Sequence, residues 1–393
     1  MMWWQNGANM RRLIVDFVLG HISRLRPGAH MPSPQAVMLS ENWSASPLNI
    51  DSLELVDCAT AFAQMLHIAD SGLEDYLLAK PSVNGWKEIA TASLENFHQF
   101  ISFSSSGSTS PPVVTTIPLA HIQQEVDFIA QHLLTGNSAV RRIWTLIPAQ
   151  HIYGFIFTMA LPSRLVNRPE VIDGRQRLPI SLEKSLQNGD MIVSIPDFWQ
   201  HWINSGLRLP RPVTVVMAGA PCAPKILAAL LAQNADTIEI YGATETGGIG
   251  YRKKPDEPFA LFPYWQILND SIRNHLHSAY IPDKLHWVDK KHFIVQGRKD
   301  GQIQIAGINL SLETIASEIK QHAAIHESVV RFDGKRLKAY IVPNKDSKLN
   351  SSMLIDELSS WLSTRLPSTQ IPKHFTVGSK LPRNGMGKLC DWD

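Results

Sequence analysis

Residues 237–248 read TIEIYGATETGG, and their pattern is the clearest indication of the fold class. Its first four residues are rich in β-branched side chains and lead directly into a segment of glycine, alanine and threonine. Such a run favours a strand, and glycine allows the backbone to make the turn that follows. In a parallel sheet, ligands bind beyond the carboxyl ends of the strands, where such turns lie. The stretch therefore predicts a strand of an α/β sheet that ends in a ligand-binding turn.

Three similar apolar runs occur upstream, and each is followed by a helical pattern. The predicted strands are residues 142–147 (RIWTLI), 191–195 (MIVSI) and 213–217 (VTVVM), and the predicted helices are residues 151–161, 198–202 and 225–233. Pro148 and Pro196 end the first two runs, and we expect Asp197 to cap the second helix. Short β-branched runs that alternate with helices favour parallel strands joined by crossover helices.

The last quarter of the chain has a different pattern, which predicts a small α+β module. Its predicted elements are strand 302–305, a helix ending at residue 320, strands 328–332 and 336–342, helix 353–366 and strand 374–377. Asp333-Gly334 is a strong signal for the hairpin, and Ser311 or Asn309 is expected to cap the first helix. We predict a large α/β domain with parallel-rich sheets at residues 1–298 and a small α+β domain at residues 299–393.

Composition and charge exclude several classes of protein. The 393 residues are 44% hydrophobic, enough for the cores of more than one domain, and the net charge of +2 comes without a dense Lys/Arg tract that would imply nucleic acid. Cys58, Cys222 and Cys390 lack a paired metal-ligand spacing, which favours a reduced, cytoplasmic protein. Residues 1–4 and 13–19 are far shorter than a membrane span of about 20 residues. We expect an N-terminal packing helix there, with no membrane span and no secretory signal.

Four short stretches occur in a fixed order along the chain. They are residues 104–112 (SSSGSTSPP), 241–248 (YGATETGG), 297–307 (GRKDGQIQIAG) and 381–388 (LPRNGMGK). Their order and spacing resemble the adenylate-forming superfamily of acyl-CoA synthetases, aryl-acid ligases and peptide-synthetase adenylation domains. The resemblance begins near residue 90, and the residues before that point match no motif of the family.

The resemblance implies an enzyme that uses ATP and Mg²⁺ to convert a small carboxylic acid into acyl-AMP, with release of pyrophosphate. The acyl group would then pass to a thiol, either that of CoA or that of the phosphopantetheine arm of an acyl carrier protein. It also implies a large and a small domain, with the small one rotating about a hinge at Asp300 between the two half-reactions.

Two of the four stretches would hold the nucleotide. In the family, the residue that matches Tyr241 stacks on adenine, the one that matches Thr244 binds phosphate, and the one that matches Glu245 helps to hold Mg²⁺. Gly242, next to Tyr241, would also contact the nucleotide. A carboxylate is a hard oxygen ligand, which suits Mg²⁺. The phosphate loop would consist of small and hydroxyl-bearing residues: Ser105, Ser106, Gly107, Ser108 and Thr109. Taken alone, that loop also fits a solvated Ser/Gly linker.

Further nucleotide contacts are implied elsewhere in the chain. The family turn that lies along adenine matches Gly219, Ala220 and Pro221. The ribose-binding aspartate matches Asp283, whose carboxylate can accept hydrogen bonds from both ribose hydroxyls. Arg298 can donate to ribose or phosphate through its guanidinium group.

The chain departs from the family pattern at several of these positions. Ser110 replaces a glycine, Val113 and Gln304 each replace a lysine, and Ile281-Pro282 replaces the usual Thr-Gly before Asp283. Because two positive charges near the phosphates are lost, a regulatory pseudoenzyme that binds nucleotide is an alternative interpretation.

Lys388 is the strongest candidate for a catalytic residue, together with Thr244 and Glu245. It matches the C-terminal lysine that reaches the substrate carboxylate and the α-phosphate during adenylation. A cation there offsets the charge that builds up as the carboxylate attacks phosphorus, an electrostatic contribution made mainly in the transition state.

The resemblance places His151, Tyr153 and Gly247 around the acyl pocket. Relatives that activate amino acids carry an aspartate for the substrate amino group near this segment, whereas the residues that follow His151 are apolar or aromatic. This favours an aryl or acyl acid. A stand-alone amino-acid adenylation domain stays an alternative, and neither the acid nor the thiol acceptor follows from the sequence.

Overall fold

The computed structural model describes residues 2–26, 28–104, 113–134, 140–210, 212–299, 303–305, 308–344, 350–382 and 389–392. The predicted phosphate-loop residues 105–109, the hinge residue Asp300 and the catalytic Lys388 lie outside these ranges, as does the side chain of Gln304. Contacts divide the chain into two units. The first comprises the described residues of 1–22, 31–106 and 113–299, and the second those of 23–30 and 300–393.

Helices make up much of the chain before residue 233. The α-helices described there are α1 (Gly7–Leu25), α2 (Pro34–Leu39), α3 (Ser52–Leu66), α4 (Tyr76–Ala79), α5 (Val83–Asn96), α6 (Leu119–Phe128), α7 (Ile152–Phe155), α8 (Pro179–Ser185), α9 (Pro196–Asn204) and α10 (Pro224–Ala232). The π-helical turns Ile129–Leu133 and Ile156–Ala160 continue α6 and α7, and 3₁₀ turns lie at Trp3–Gln5, Ile68–Ser71 and Leu161–Ser163.

A nine-stranded mixed sheet is the centre of the first unit. The strands of this unit are β1 (Phe100–Ser104), β2 (Val114–Pro118), β3 (Arg142–Thr145), β4 (Glu170–Asp173), β5 (Asp190–Ser194), β6 (Thr214–Met217), β7 (Asp236–Ala243), β8 (Gly247–Arg252), β9 (Phe259–Leu261), β10 (Gln266–Leu268), β11 (Ser271–Arg273), β12 (Ser278–Tyr280), β13 (Asp283–Trp287) and β14 (His292–Arg298). The large sheet has the order β13-β14-β9-β8-β7-β6-β5-β3-β4, in which β4, β3, β5, β6 and β7 run parallel and the others antiparallel. The prediction of an α/β fold with parallel strands and crossover helices is confirmed.

The parallel strands separate two hydrophobic cores because successive side chains point to opposite faces. On β5, Met191 and Val193 join the larger core, which includes residues of α1, α3, α5 and α6, whereas Ile192 joins the smaller one. Trp199 and Trp202 of α9 are fully buried in the smaller core. The N-terminal packing helix expected near residues 13–19 is confirmed, since α1 buries that segment.

One local expectation was wrong. Asp197 does not cap α9, which begins at Pro196 after Ile195 and has no side-chain cap. Proline preorganises the first helical position, so the helix starts one residue before the predicted cap. Asp197 lies in the first turn instead, where its charge is favourable to the helix dipole.

The second unit is a small α+β assembly with its own core. Its described elements are β15 (Ile303–Ile305), β16 (Ile308–Leu310), α11 (Leu312–Lys320), β17 (Ile325–Phe332), β18 (Leu337–Pro343), α12 (Ser351–Ser363) and β19 (His374–Val377). The hairpin predicted at Asp333-Gly334 is confirmed by the antiparallel pairing of β17 with β18. The hydroxyl of Ser311 accepts the N–H of Thr314, which confirms Ser311 as the cap of α11.

Among the described residues, none of the helices combines the length and the apolar composition needed to cross a membrane.

Candidate active site at the carboxyl edge of the sheet

The turn after β6 and the segment after β7 lie side by side at one edge of the sheet. Parallel pairing aligns Met217 with Glu239, so the predicted adenine turn from Gly219 to Pro221 continues level with Tyr241. Gly219 has a φ of +83°, a conformation that side chains rarely tolerate. The adjacent carboxyl ends of parallel strands form the usual ligand-binding edge of such sheets.

A buried ion pair anchors that turn to its neighbour. Glu239 on β7 accepts hydrogen bonds from the N–H of Cys222 at 3.3 Å and from Nε of Arg252 at 2.7 Å. Arg252 also donates to the carbonyl of Cys222 at 3.4 Å. Both ends of the Cys222 backbone are therefore held by one charged pair, which the sequence did not reveal.

Tyr241 and Asp283 are in direct contact. The Tyr241 hydroxyl donates to Oδ2 of Asp283 at 2.7 Å, and the ring packs against Phe293 at 5.4 Å between centroids. Burial, followed by the charge of Asp283, raises the pKa of Tyr241, so the phenol stays protonated. Asp283 opens β13 directly opposite Arg298 on β14. The fold thus brings together three predicted nucleotide-binding residues that lie on three different strands.

The TET segment is the tip of a β-hairpin. Strands β7 and β8 pair Ala243 with Gly247, which leaves residues 244–246 as the turn. A Cβ at Gly242 would lie 2.1 Å from the carbonyl oxygen of Gly247, and Gly247 itself has a φ of +67°. Thr246, fully buried, closes the turn by accepting the N–H of Ala243 and donating to the carbonyl of Gly247.

Thr244 and Glu245 present their side chains at this tip. Both are half-buried, and neither side chain has a hydrogen-bond or ion-pair partner among the described residues. The described residues also contain no group of three metal-ligating side chains. A single available carboxylate fits Mg²⁺, which is normally held by one or two carboxylates, substrate phosphates and water.

A polar cluster that the sequence did not predict lies beneath the hairpin. His121 and Glu125, both on α6, contact residues 246–248 and are buried. Burial lowers the pKa of His121 to about 4 and raises the pKa of Glu125 to about 7. Their spacing of four residues on an amphipathic helix resembles ordinary core packing, so no sequence signal distinguished them.

The predicted acyl-pocket segment lies at the same edge. The hydroxyl of Tyr153 donates to the carbonyl of Val216 at 2.9 Å and lies 3.1 Å from the carbonyl of Ser194. It therefore joins the ends of β5 and β6. Its ring lies 5.2 Å from that of Phe157, and His151 is exposed. Phe155 instead packs in the core against Trp3 at 4.7 Å, so it carries no information about the acid.

The N-terminal helix reaches the same segment through buried charges. Asp16 on α1 accepts the N–H of Ala149 at 2.8 Å and pairs with Arg175. Arg12 donates to the carbonyl of Thr158 at 2.7 Å, inside the π-helical turn. The first 90 residues, which match no family motif, thus support residues 149–158.

Sequence relatives decide the family. No family model matches the chain, but a protein named 4-coumarate–CoA ligase from Cereibacter sphaeroides is 31% identical across 98% of this chain and 93% of its own length. Another of that name, from Halorhodospira halophila, is 32% identical across 98% of this chain and 99% of its own. The chain belongs to the adenylate-forming superfamily. It is an AMP-forming acid–thiol ligase, which activates a carboxylic acid with ATP and forms a thioester.

Solved structures of adenylate-forming enzymes share the fold. An amide bond synthetase from Marinactinospora thermotolerans superposes with a TM-score of 0.59 at 14% identity, over 73% of this chain and 67% of that one. The o-succinylbenzoate CoA synthetase of Bacillus subtilis gives 0.57 at 17% identity, over 74% and 67%. The fold and the family predicted from the four stretches are confirmed.

Proposed function

We propose that this ligase activates a hydroxylated aryl-propenoic acid of the 4-coumarate type and transfers it to CoA. Two full-length relatives with that name support both the acid and the acceptor. A peptide synthetase of Brevibacillus parabrevis, a linear gramicidin synthase, matches only 38% of the chain. The balance favours an aryl acid over an amino acid and CoA over a carrier protein.

One observation carries the nucleotide part of the proposal, namely the hydrogen bond from Tyr241 to Asp283. It fixes an aromatic face beside a carboxylate, with Arg298 opposite on the next strand. We assign the ring of Tyr241 to adenine, Asp283 to the ribose hydroxyls and Arg298 to ribose or phosphate. The turn formed by Gly219, Ala220 and Pro221 would line the adenine from the neighbouring strand.

The hairpin tip would serve the phosphates. Thr244 would donate to a phosphate oxygen, and Glu245 would hold Mg²⁺ together with the phosphates and water. When bound, Mg²⁺ neutralises charge on the phosphates. The sequence-assigned loop from Ser105 to Thr109 would bind the same groups.

Lys388 would stabilise the charge that develops on the α-phosphate during attack by the substrate carboxylate. We also propose that the two predicted domains, 1–298 and 299–393, move about Asp300 between adenylation and thioester formation. Tyr153, His151 and Gly247 would border the acyl group.

Cys58, Cys222 and Cys390 all lie in the part of the chain that the structure describes, and each is a free thiol. This agrees with the cytoplasmic location that we propose.

Product analysis tests the function directly. The purified enzyme would be given ATP, Mg²⁺ and a panel of aryl, acyl and amino acids, and acid-dependent exchange of pyrophosphate into ATP would be measured. We expect the fastest exchange with 4-coumarate, and mass spectrometry should then detect its CoA thioester. Faster loading of a phosphopantetheinylated carrier protein than of CoA would contradict the proposed acceptor. No exchange with any acid, with AMP binding intact, would indicate the pseudoenzyme instead.

A further inference from the structure

The hairpin tip, residues 244–246, and the two glycines that follow it rest on a polar network whose hydrogen bonds determine one another. His121 contributes Nε2 to a hydrogen bond with the carbonyl oxygen of Thr246 at 3.0 Å. Because a carbonyl can only accept, Nε2 carries the hydrogen. The other ring nitrogen, Nδ1, faces the amide nitrogen of Asn274 at 3.1 Å, and because an amide nitrogen can only donate, Nδ1 accepts. The ring is therefore a neutral imidazole with one defined tautomer.

Asn274 is the centre of this network. Its amide nitrogen donates to His121 and to Gln124 Oε1, both at 3.1 Å. Its oxygen accepts the N–H groups of Leu276 and His277 at 2.8 and 2.7 Å. All four hydrogen bonds that an amide side chain can make are present, and a flip of the Asn274 amide would replace each donor by an acceptor and each acceptor by a donor.

His277 connects the network to Glu245, the residue that the proposed function assigns to Mg²⁺. Its Nε2 donates to the carbonyl oxygen of Glu245 at 2.7 Å. Two successive carbonyls of the hairpin tip, those of Glu245 and Thr246, are thus each held by an imidazole. Fixing these carbonyls fixes the backbone dihedrals from which the Glu245 carboxylate projects.

Glu125 holds the other side of the tip. Its carboxylate accepts the N–H of Gly248 at 2.9 Å, and Trp265 donates its indole N–H to the carbonyl of Gly248 at 2.8 Å. A Cβ at Gly247 or Gly248 would lie 2.6 or 2.5 Å from an oxygen of Glu125. The glycines of the motif therefore permit this contact as well as the turn.

We propose that His121, Asn274 and His277, with Glu125 behind them, are positioning residues that hold Glu245 in the orientation needed to bind Mg²⁺ with ATP. The proposal rests on the role given to Glu245 in the proposed function. Partners that hydrogen-bond a metal-ligating group itself typically alter metal affinity by about 10- to 100-fold when removed. His277 bonds the main-chain carbonyl of Glu245 and not its carboxylate, so we expect an effect at the lower end of that range. His277 is the best residue to test because it is half-buried and binds Glu245 directly.

The experiment compares ATP binding with and without Mg²⁺ by titration calorimetry on the intact protein. In the wild-type protein, we expect Mg²⁺ to tighten ATP binding. His277→Leu removes the donor and should reduce that Mg²⁺-dependent gain by about 10-fold. His277→Gln keeps an N–H donor at the end of a side chain of similar reach, so it should restore most of the gain. His275→Leu, in the same loop and exposed, is the matched control and should behave as wild type.

Hydrogen exchange gives a second measurement that does not depend on activity. The amide of Gly248 should exchange faster in His277→Leu than in His277→Gln or the control. Should His277→Leu fail to fold, His277→Asn replaces it, since its shorter amide cannot reach the Glu245 carbonyl.

Two results would overturn the proposal. The first is that Mg²⁺ tightens ATP binding as much in His277→Leu as in the wild-type protein. The second is that Mg²⁺ does not change the ATP affinity of the wild-type protein. Absence of acid-dependent pyrophosphate exchange in the wild-type protein would count against the proposed function alone, because the binding measurement would still decide the role of His277.

Discussion

At the residue scale, Glu125 shows how burial determines the chemistry of a side chain. It is about 1% exposed, and among the described residues the N–H of Gly248 is the donor that contacts its carboxylate. Burial disfavours the charged form and raises its pKa from an ordinary 4.5 to about 7, although the Gly248 hydrogen bond acts in the opposite direction. The carboxyl group therefore holds its proton over a pH range in which an unfolded chain would have lost it.

The raised pKa of Glu125 predicts that the free energy of unfolding depends on pH, and that Glu125→Gln removes this dependence. Between pH 4.5 and about 7, the folded protein binds a proton at Glu125 that the unfolded chain releases. Stability contributed by this residue is therefore present at low pH and lost as pH rises through that window. Relative to Glu125→Gln, the wild type should lose roughly 3 kcal/mol between about pH 4.5 and about pH 7.5. Urea unfolding of both proteins across this range measures it.

The exposed Glu88 provides the control for this measurement. Its side chain is 62% exposed and pairs with Lys80 at 3.1 Å, so Glu88→Gln should give a nearly constant difference from wild type. A constant difference for Glu125→Gln as well would contradict the assigned burial effect.

At the scale of elements, helix α1 is joined to the sheet by buried charges rather than by apolar contacts alone. Asp16 faces both Arg12 and Arg175, and Arg175 also pairs with Asp173 at the end of β4. The side chain of Asp16 is 1% exposed, and burial raises its pKa against the opposing effects of Arg175 and Arg12. Loss of one partner in such a group is costly because it leaves a buried charge uncompensated.

We predict that Asp16→Asn destabilises the first unit by about 3 kcal/mol. The asparagine can still accept the N–H of Ala149, so the loss reports the charge rather than the hydrogen bond. The free energy of unfolding in urea is the measurement. Glu88→Gln, which breaks an exposed pair, should cost less than about 1 kcal/mol. Equal effects of the two substitutions would contradict the interpretation.

The elements themselves followed from local pattern to different degrees. The hairpin at Asp333-Gly334 depends on residues adjacent in sequence and was predicted. Ser311, the cap of α11, was one of two residues predicted for that role, the other being Asn309. The prediction that Asp197 caps α9 was wrong, because the helix already begins at Pro196. Long-range partners such as His277 and Glu245 could not be predicted, since the contact joins residues 32 positions apart.

At the scale of the whole molecule, the two half-reactions predict separate effects for a substitution at Lys388. Lys388 is assigned to adenylation alone, where its charge offsets that of the reacting phosphate. We expect Lys388→Ala to slow adenylation on the order of 100-fold or more, while thioester formation from supplied acyl-AMP stays largely intact. Acid-dependent pyrophosphate exchange and thioester formation from synthetic acyl-AMP measure the two steps.

Lys380→Ala, at a lysine outside the motif, is the matched control for that variant. Equal loss of both half-reactions in Lys388→Ala would contradict the assigned role. Such a result would indicate that the lysine affects the enzyme as a whole and not adenylation in particular.

The α/β class, the alternation of strands and helices, and the family could all be predicted from the amino-acid sequence, because they depend on local pattern and on short motifs in order. The sequence also identified Tyr241, Asp283 and Glu245 as candidates. The side chains that support them became evident only in the folded protein, because His121 and Glu125 are ordinary helix residues until the fold places the hairpin tip against α6. The physical reason is that hydrogen-bond partners and burial, which set both orientation and pKa, arise from contacts between distant segments.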